Sequence, residues 1–87
     1  MIEIPYNDKL IEMNEKKYGC NDSTHCIICG KPVNMNRHFL FVRIVNGGGF
    51  IGNQEEADAE PAASLGVYPI GATCLKSHPE IVPYIVV

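Results

Sequence analysis

The 87-residue sequence predicts a small α+β domain with an N-terminal helix and a short antiparallel sheet. Three observations carry that prediction. Residues 8–18 have helical periodicity, and residues 38–45 and 67–70 are β-rich runs bounded by turn residues. Two pairs of metal-ligating side chains, Cys26 with Cys29 and Cys74 with His78, are each spaced to reach one cation. A domain this short buries a small core, so a metal shared by distant segments supplies stability that packing alone does not.

The elements follow in order. Over 8–18, Leu10, Ile11, Asn14 and Tyr18 share one helical face with Met13 beside them; Asn7 or Asp8 caps the start, Lys16 and Lys17 suit the last turn, and Gly19 ends it. Residues 19–25 form a polar turn, Cys26 to Pro32 a tight knuckle, and 33–37 another turn. In the strand 38–45, Leu40, Val42 and Ile44 make a wholly apolar side for the core, leaving Phe39, Phe41, Arg43 and Val45 on the other. Asn46-Gly-Gly-Gly49 is a turn signal, with Phe50-Ile51 starting a return strand. Residues 53–66 read as an exposed acidic loop with at most a helical turn. Residues 67–70 form a second strand, placed at a sheet edge by Pro69. Residues 71–78 make one or two helical turns stopped by Pro79, and the apolar tail Tyr84 to Val87 is a short strand or a packed end.

The chemistry lies in the cysteines. A Cys-x-x-Cys turn brings two sulfurs within about 4 Å, so one zinc ion takes both at about 2.3 Å. Gly30 lets the chain bend immediately afterwards. On a helix, Cys74 and His78 lie four apart on one face, as in helical zinc sites. The 44 residues between Cys29 and Cys74 exceed the usual finger spacing. A loop lengthened threefold costs only about 1 kcal/mol in closure entropy, whereas structural zinc contributes on the order of 10 kcal/mol. The predicted ligand set is therefore Cys26, Cys29, Cys74 and His78 around one structural Zn2+. Cys20, His25 and His38 are alternatives for the fourth position, and metal-free buried cysteines are the bland alternative. A redox role for Cys26 and Cys29 lacks a surrounding βαβ pattern, and no glutamate adjoins a ligand as a general base, so the zinc is read as structural and the chain as non-enzymatic.

The order of knuckle, hairpin and short ligand-bearing helix resembles a treble-clef zinc finger. The residues that carry it are Cys26-Ile-Ile-Cys29-Gly30-Lys31-Pro32 and Val67-Tyr-Pro-Ile-Gly71-Ala-Thr-Cys74-Leu-Lys-Ser-His78. The same two segments look like those of small zinc-binding proteins of bacteriophages and prophages. The resemblance implies a metal site and, by analogy, an accessory or host-directed binding role. The sequence departs from the pattern in placing His78 where many such modules have a fourth cysteine, and in the long 53–66 insertion.

Net charge is −3 and unevenly spread. Residues 23–45 carry Lys31, Arg37 and Arg43 with no acid; residues 46–66 carry Glu55, Glu56, Asp58 and Glu60 with no base. The leading expectation is a protein-interaction module using the acidic segment or the Phe39, Phe41 and Arg43 face, with the apolar tail able to add a strand to a partner. A nucleic-acid finger is the alternative, with Lys31, Arg37, His38, Arg43 and Lys76 near phosphate and Phe39 or Phe41 stacking on bases; the acidic balance disfavours it. No apolar run approaches the roughly 18 residues of a membrane span, and the N-terminus lacks a secretory pattern. The expected compartment is the cytoplasm, where thiols stay reduced.

Overall fold

A computed structural model of the chain describes all residues except Asp22, Met35, His38, Phe39 and Val87. The fold is α+β. Strands β1 (Ile2–Glu3), β2 (Phe41–Val45), β3 (Phe50–Gly52) and β4 (Gly66–Pro69) form one antiparallel sheet in the order β1-β3-β2-β4. Helices α1 (Asp8–Tyr18), α2 (Gln54–Ala59) and α3 (Ala72–Ser77) surround it, with 3₁₀ turns at Asn46–Gly48, Pro61–Ala63 and Pro79–Tyr84. Among the described residues no helix is long and apolar enough to cross a membrane.

Helix α1 has the predicted bounds because its signals are local. The Asn7 side chain accepts from the Leu10 N–H at 3.1 Å, and Gly19, at φ +81°, donates to Glu15 O. No α1 residue is buried. The helix rests on the knuckle through Ile11 and Asn14, which leaves Leu10, Met13 and Tyr18 exposed. The predicted apolar face is therefore only partly used.

Strand β2 is the axis of the sheet, pairing β3 with Ile44 opposite Ile51 and β4 with Val42 opposite Tyr68. Val42 and Ile44 are buried as the alternation predicts. Val45 is buried too, although it belongs to the other face. Across from that face Gly52 has no side chain, and Val45 fills the space: a Cβ on Gly52 would sit 2.6 Å from Val45 Cγ2. The beginning of the predicted strand 38–45 includes His38 and Phe39, which lie outside the described residues. Strand β4 is at an edge, as Pro69 requires.

The segment 53–66 is more ordered than a loop. Asn53 and Glu56 form a reciprocal capping box that starts α2, and the Ser64 hydroxyl donates to the Ala57 carbonyl at the other end. The C-terminal stretch closes the sheet: Ile85 bridges Val42 past the end of β3, and Val86 N–H donates to Phe41 O at 2.9 Å. The core joins Val42, Ile44 and Ile51 of the sheet to Ile28 of the knuckle, Ile70 before α3 and Ile81 of the last turn.

Ile28 is the knuckle's anchor in that core, at 1% exposure. Ile28→Ala is expected to lower unfolding free energy by about 2–5 kcal/mol. Exposed Met13→Ala is expected to stay within about 0.5 kcal/mol of the parent. Urea denaturation of the two variants beside the parent checks both values.

Candidate metal centre

Cys26, Cys29 and Cys74 place their sulfur atoms all within 4.8 Å of one another. Two segments far apart in sequence build this cluster. The first is the knuckle. His25 bridges Pro32, Cys26 N–H donates to Lys31 O at 2.8 Å, and Gly30 N–H donates to Cys26 O at 2.8 Å. These bonds curl residues 25–32 so that both sulfurs point to one side. Gly30 is called for here by its backbone conformation. Its φ is +76°, so glycine allows the turn, and the Ile11 Cα of α1 lies in ordinary contact, 3.4 Å from where a Cβ would stand. Asn14 Nδ2 then donates to Cys29 O at 2.8 Å, and Asn7 N–H to Ile28 O at 2.9 Å, locking α1 onto the knuckle.

The second segment enters from β4. Ile27 N–H donates to Pro69 O at 3.0 Å, which registers the knuckle against the strand end. The chain turns at Gly71, the N-cap of α3, whose N–H donates to Cys26 Sγ at 3.1 Å. Such N–H to sulfur bonds favour the thiolate and are the outer support of metal–thiolate sites. Cys74 follows in the first turn of α3 and completes the trio.

Cys26 and Cys29 are 3% and 8% exposed, and Cys74 is half-buried. No cysteine pair is bonded as a disulfide. Burial pushes the Cys74 thiol up from its ordinary range, and the charges of Cys26 and Cys29 push it further. Three thiolates therefore do not coexist here without a cation. Three soft sulfurs converging from a rigid knuckle and a helix turn fit a thiophilic metal, and sulfurs bound to one zinc would stand about 3.8 Å apart. The donor set fits a metal ion.

Among the described residues, the other predicted ligands are not part of this trio. His78 keeps the helical hydrogen bond to Cys74, its N–H donating to the Cys74 carbonyl at 3.0 Å, but its side chain is not among the three that converge. Helix α3 ends at Ser77, and His78 is its C-cap at φ −131°, ψ 70°, because a residue before proline is driven off the helical region. Its Nδ1 lies 3.2 Å from Glu80 Oε1. Cys20 is exposed, with its sulfur 3.6 Å from Glu15 Oε1, and His25 is half-buried in the knuckle bridge. His38 lies outside the described residues.

The residues expected to bind partners are dispersed in their roles. Glu56 is occupied: it caps α2 and accepts from the N-terminal ammonium at 2.6 Å, which together hold its carboxyl below the usual range. Asp58 accepts from Gln54 at 2.7 Å, while Glu55 and Glu60 are exposed. Phe41 and Arg43 are half-buried on β2, with Arg43 beside Gln54 of α2; Lys31 and Arg37 are exposed, and Phe39 lies outside the described residues. Sequence reasoning missed two clefts that flank the cysteine trio. One is bounded by Lys31, Val33, Leu40 and Thr73, the other by Leu10, Lys17, Tyr18 and Thr73. Lys17 and Tyr18 were legible only as helix residues, since nothing in their spacing shows that α1 would lie beside α3. Comparison with known proteins gives no match: no family profile fits the sequence, and no curated protein or solved structure is similar to it.

The raised Cys74 thiol sets opposite pH trends for the two forms. In the metal-free chain the unfolded state ionises first as pH rises past the ordinary thiol value of about 8.5. The folded state then holds more protons, so its stability falls with increasing pH. With metal bound, the folded state holds fewer thiol protons, so stability falls as pH drops from about 7 to about 5. Thermal midpoints measured with chelator across the alkaline range, and with zinc across the acidic range, are expected to show these two slopes.

Proposed function

We propose that this chain is a small non-enzymatic protein-interaction module whose fold is tied by one structural zinc ion on Cys26, Cys29 and Cys74. The convergence of those three sulfurs from segments 44 residues apart carries the reading. Zinc suits the site because thiolates favour it and because it demands no redox partner. When bound, it would supply fixed geometry and charge balance to the three sulfurs. The protein's own part is to present the sulfurs: Gly71 N–H orients Cys26, the Cys26–Lys31 bond shapes the knuckle, and Ile28 holds it on the sheet.

The arrangement is treble-clef-like in its order. The knuckle comes first, the β2–β3 hairpin next, and α3 brings Cys74 back to the start. Two features support a structural over a catalytic zinc. Cys26 and Cys29 are in the hydrophobic core, and the described walls of the flanking clefts present lysine, asparagine and threonine to the sulfurs instead of a carboxylate or imidazole base. A module of this kind works by displaying surface, and the metal substitutes for the larger core that a chain of this size lacks.

Metal analysis of purified variants tests the reading. The parent is expected to hold one zinc ion per chain, and Cys26→Ser and Cys74→Ser to lose it together with cooperative unfolding. Cys20→Ser is expected to keep it, and His78→Ala to hold it more weakly, since a closed structural site takes a fourth protein ligand and His78 stands at the end of the helix that carries Cys74. A parent that folds cooperatively in chelator and takes up no zinc would remove the proposal; metal loss in His78→Ala alone would make His78 the fourth ligand.

A further inference from the structure

The three sulfurs of the metal centre differ in access and in what holds them. Cys74 is half-buried, whereas Cys26 and Cys29 are 3% and 8% exposed. Cys29 and Cys74 together line both flanking clefts, of about 370 Å³ and 380 Å³, and Cys26 lines the first. Cys26 is covered by the start of α3: the Gly71 N–H donates to its sulfur at 3.1 Å, and a Cβ on Gly71 would lie 3.6 Å from the same atom. Ile28 anchors the knuckle in the core, while no residue of α3 is fully buried. Of the two carriers of sulfur, α3 is therefore the one free to shift.

From this we propose that the metal centre is a peroxide-sensitive switch, in which hydrogen peroxide oxidises Cys74 and Cys29 to a disulfide and the zinc is released. The proposal rests on the structural-zinc reading and concerns the regulation of that same site. Zinc ligation holds the sulfurs as thiolates, the form that attacks peroxide. The Cys74 sulfur, reached through the clefts, attacks one peroxide oxygen. The O–O bond breaks, hydroxide leaves, and Cys74 becomes a sulfenic acid. The Cys29 thiolate then attacks the Cys74 sulfur; the S–S bond forms, the S–O bond breaks, and a second hydroxide leaves. Two electrons pass from the two sulfurs to one peroxide, and both hydroxides take protons from solvent to become water. Cys29 takes the second step because it shares both clefts with Cys74, while Cys26 is buried under a hydrogen bond that weakens it as a nucleophile. The sulfurs lie within 4.8 Å, so bonding needs a movement of roughly 3 Å, which α3 supplies. The choice of pair decides what oxidation does to the fold. A Cys29–Cys74 bond ties the knuckle to α3 across 44 residues, as the metal does, so the oxidised chain stays folded without zinc. A Cys26–Cys29 bond would close a loop of two residues and leave α3 untied.

The test treats the zinc-loaded full chain and its Cys20→Ser variant with excess hydrogen peroxide, after zinc content has been measured. Released zinc is followed with a metallochromic indicator. Remaining thiols are alkylated, and disulfides are located by mass spectrometry of proteolytic peptides. Urea unfolding in chelator compares the oxidised chain with the reduced, metal-free chain. One zinc ion is expected to leave per disulfide formed, with Cys29 joined to Cys74 and Cys26 recovered alkylated, equally in both proteins. The oxidised chain is expected to unfold at higher urea than the reduced metal-free chain, and reductant with added zinc to restore the loaded state. Zinc retained in excess peroxide, a disulfide joining any other pair, sulfinic acid at Cys74 without a crosslink, or an oxidised chain no more stable than the reduced metal-free one each overturns the switch and leaves the metal module standing. Absence of zinc in a folded parent overturns the module itself.

Discussion

The structure depends on the mutual approach of three thiols that repel one another once ionised. Cys26 and Cys29 come from a hairpin-like knuckle and Cys74 from a helix turn, and 44 residues of sheet and α2 lie between them. Ionising buried sulfurs this close together costs free energy unless a cation neutralises them. Every neighbouring element is arranged to tolerate that approach. Ile28 anchors the knuckle in the core, Ile27 registers it on β4, and Gly71 gives a backbone N–H to Cys26. With a cation bound, the metal centre and the small apolar core would form two halves of one stabilising unit. The core holds the sulfurs in place, and a bound metal would close the long loop between them.

That unit also decides where surface is available. Helix α1 docks on the knuckle by one narrow edge, through Ile11 against Gly30 and Asn14 on the Cys29 carbonyl, and contributes no buried residue. The rest of its apolar side is left beside the clefts at the cysteines. The acidic segment takes a different course. Glu56 serves the capping box and the N-terminal ammonium, and Asp58 serves Gln54, so two of its four carboxylates hold α2 and β1 in place. The surface left beside the cysteines is apolar with Lys17 and Lys31 at its margin, opposite in character to the acidic run that composition alone draws attention to.

The parts legible in the sequence were those governed by neighbouring residues. Asn7, Gly19 and the charges between them define α1 without reference to the rest of the fold. The Cys-x-x-Cys-Gly knuckle and the Cys74 turn were readable because ligand spacing is a local property, and the sheet edge was readable from Pro69. What escaped depended on tertiary placement. Strand β1 is only Ile2–Glu3, too short to leave a pattern, and it exists because β3 offers it a partner. Val45 is buried because Gly52 across the strand leaves room, a pairing that needs the register first. The Asn53–Glu56 capping box was present in the sequence but was outweighed by the acidic composition around it. The register assigned to His78 holds for its N–H, which bonds to the Cys74 carbonyl, while Pro79 draws its own φ and ψ off the helix.

Zinc K-edge X-ray absorption on the loaded protein addresses the centre of the account directly. Three sulfur neighbours at about 2.3 Å, reduced in number when Cys74 is replaced by serine, are the predicted result. A first shell of oxygen and nitrogen alone, or a sulfur count indifferent to Cys74, would contradict the union of knuckle and helix on which the fold has been explained.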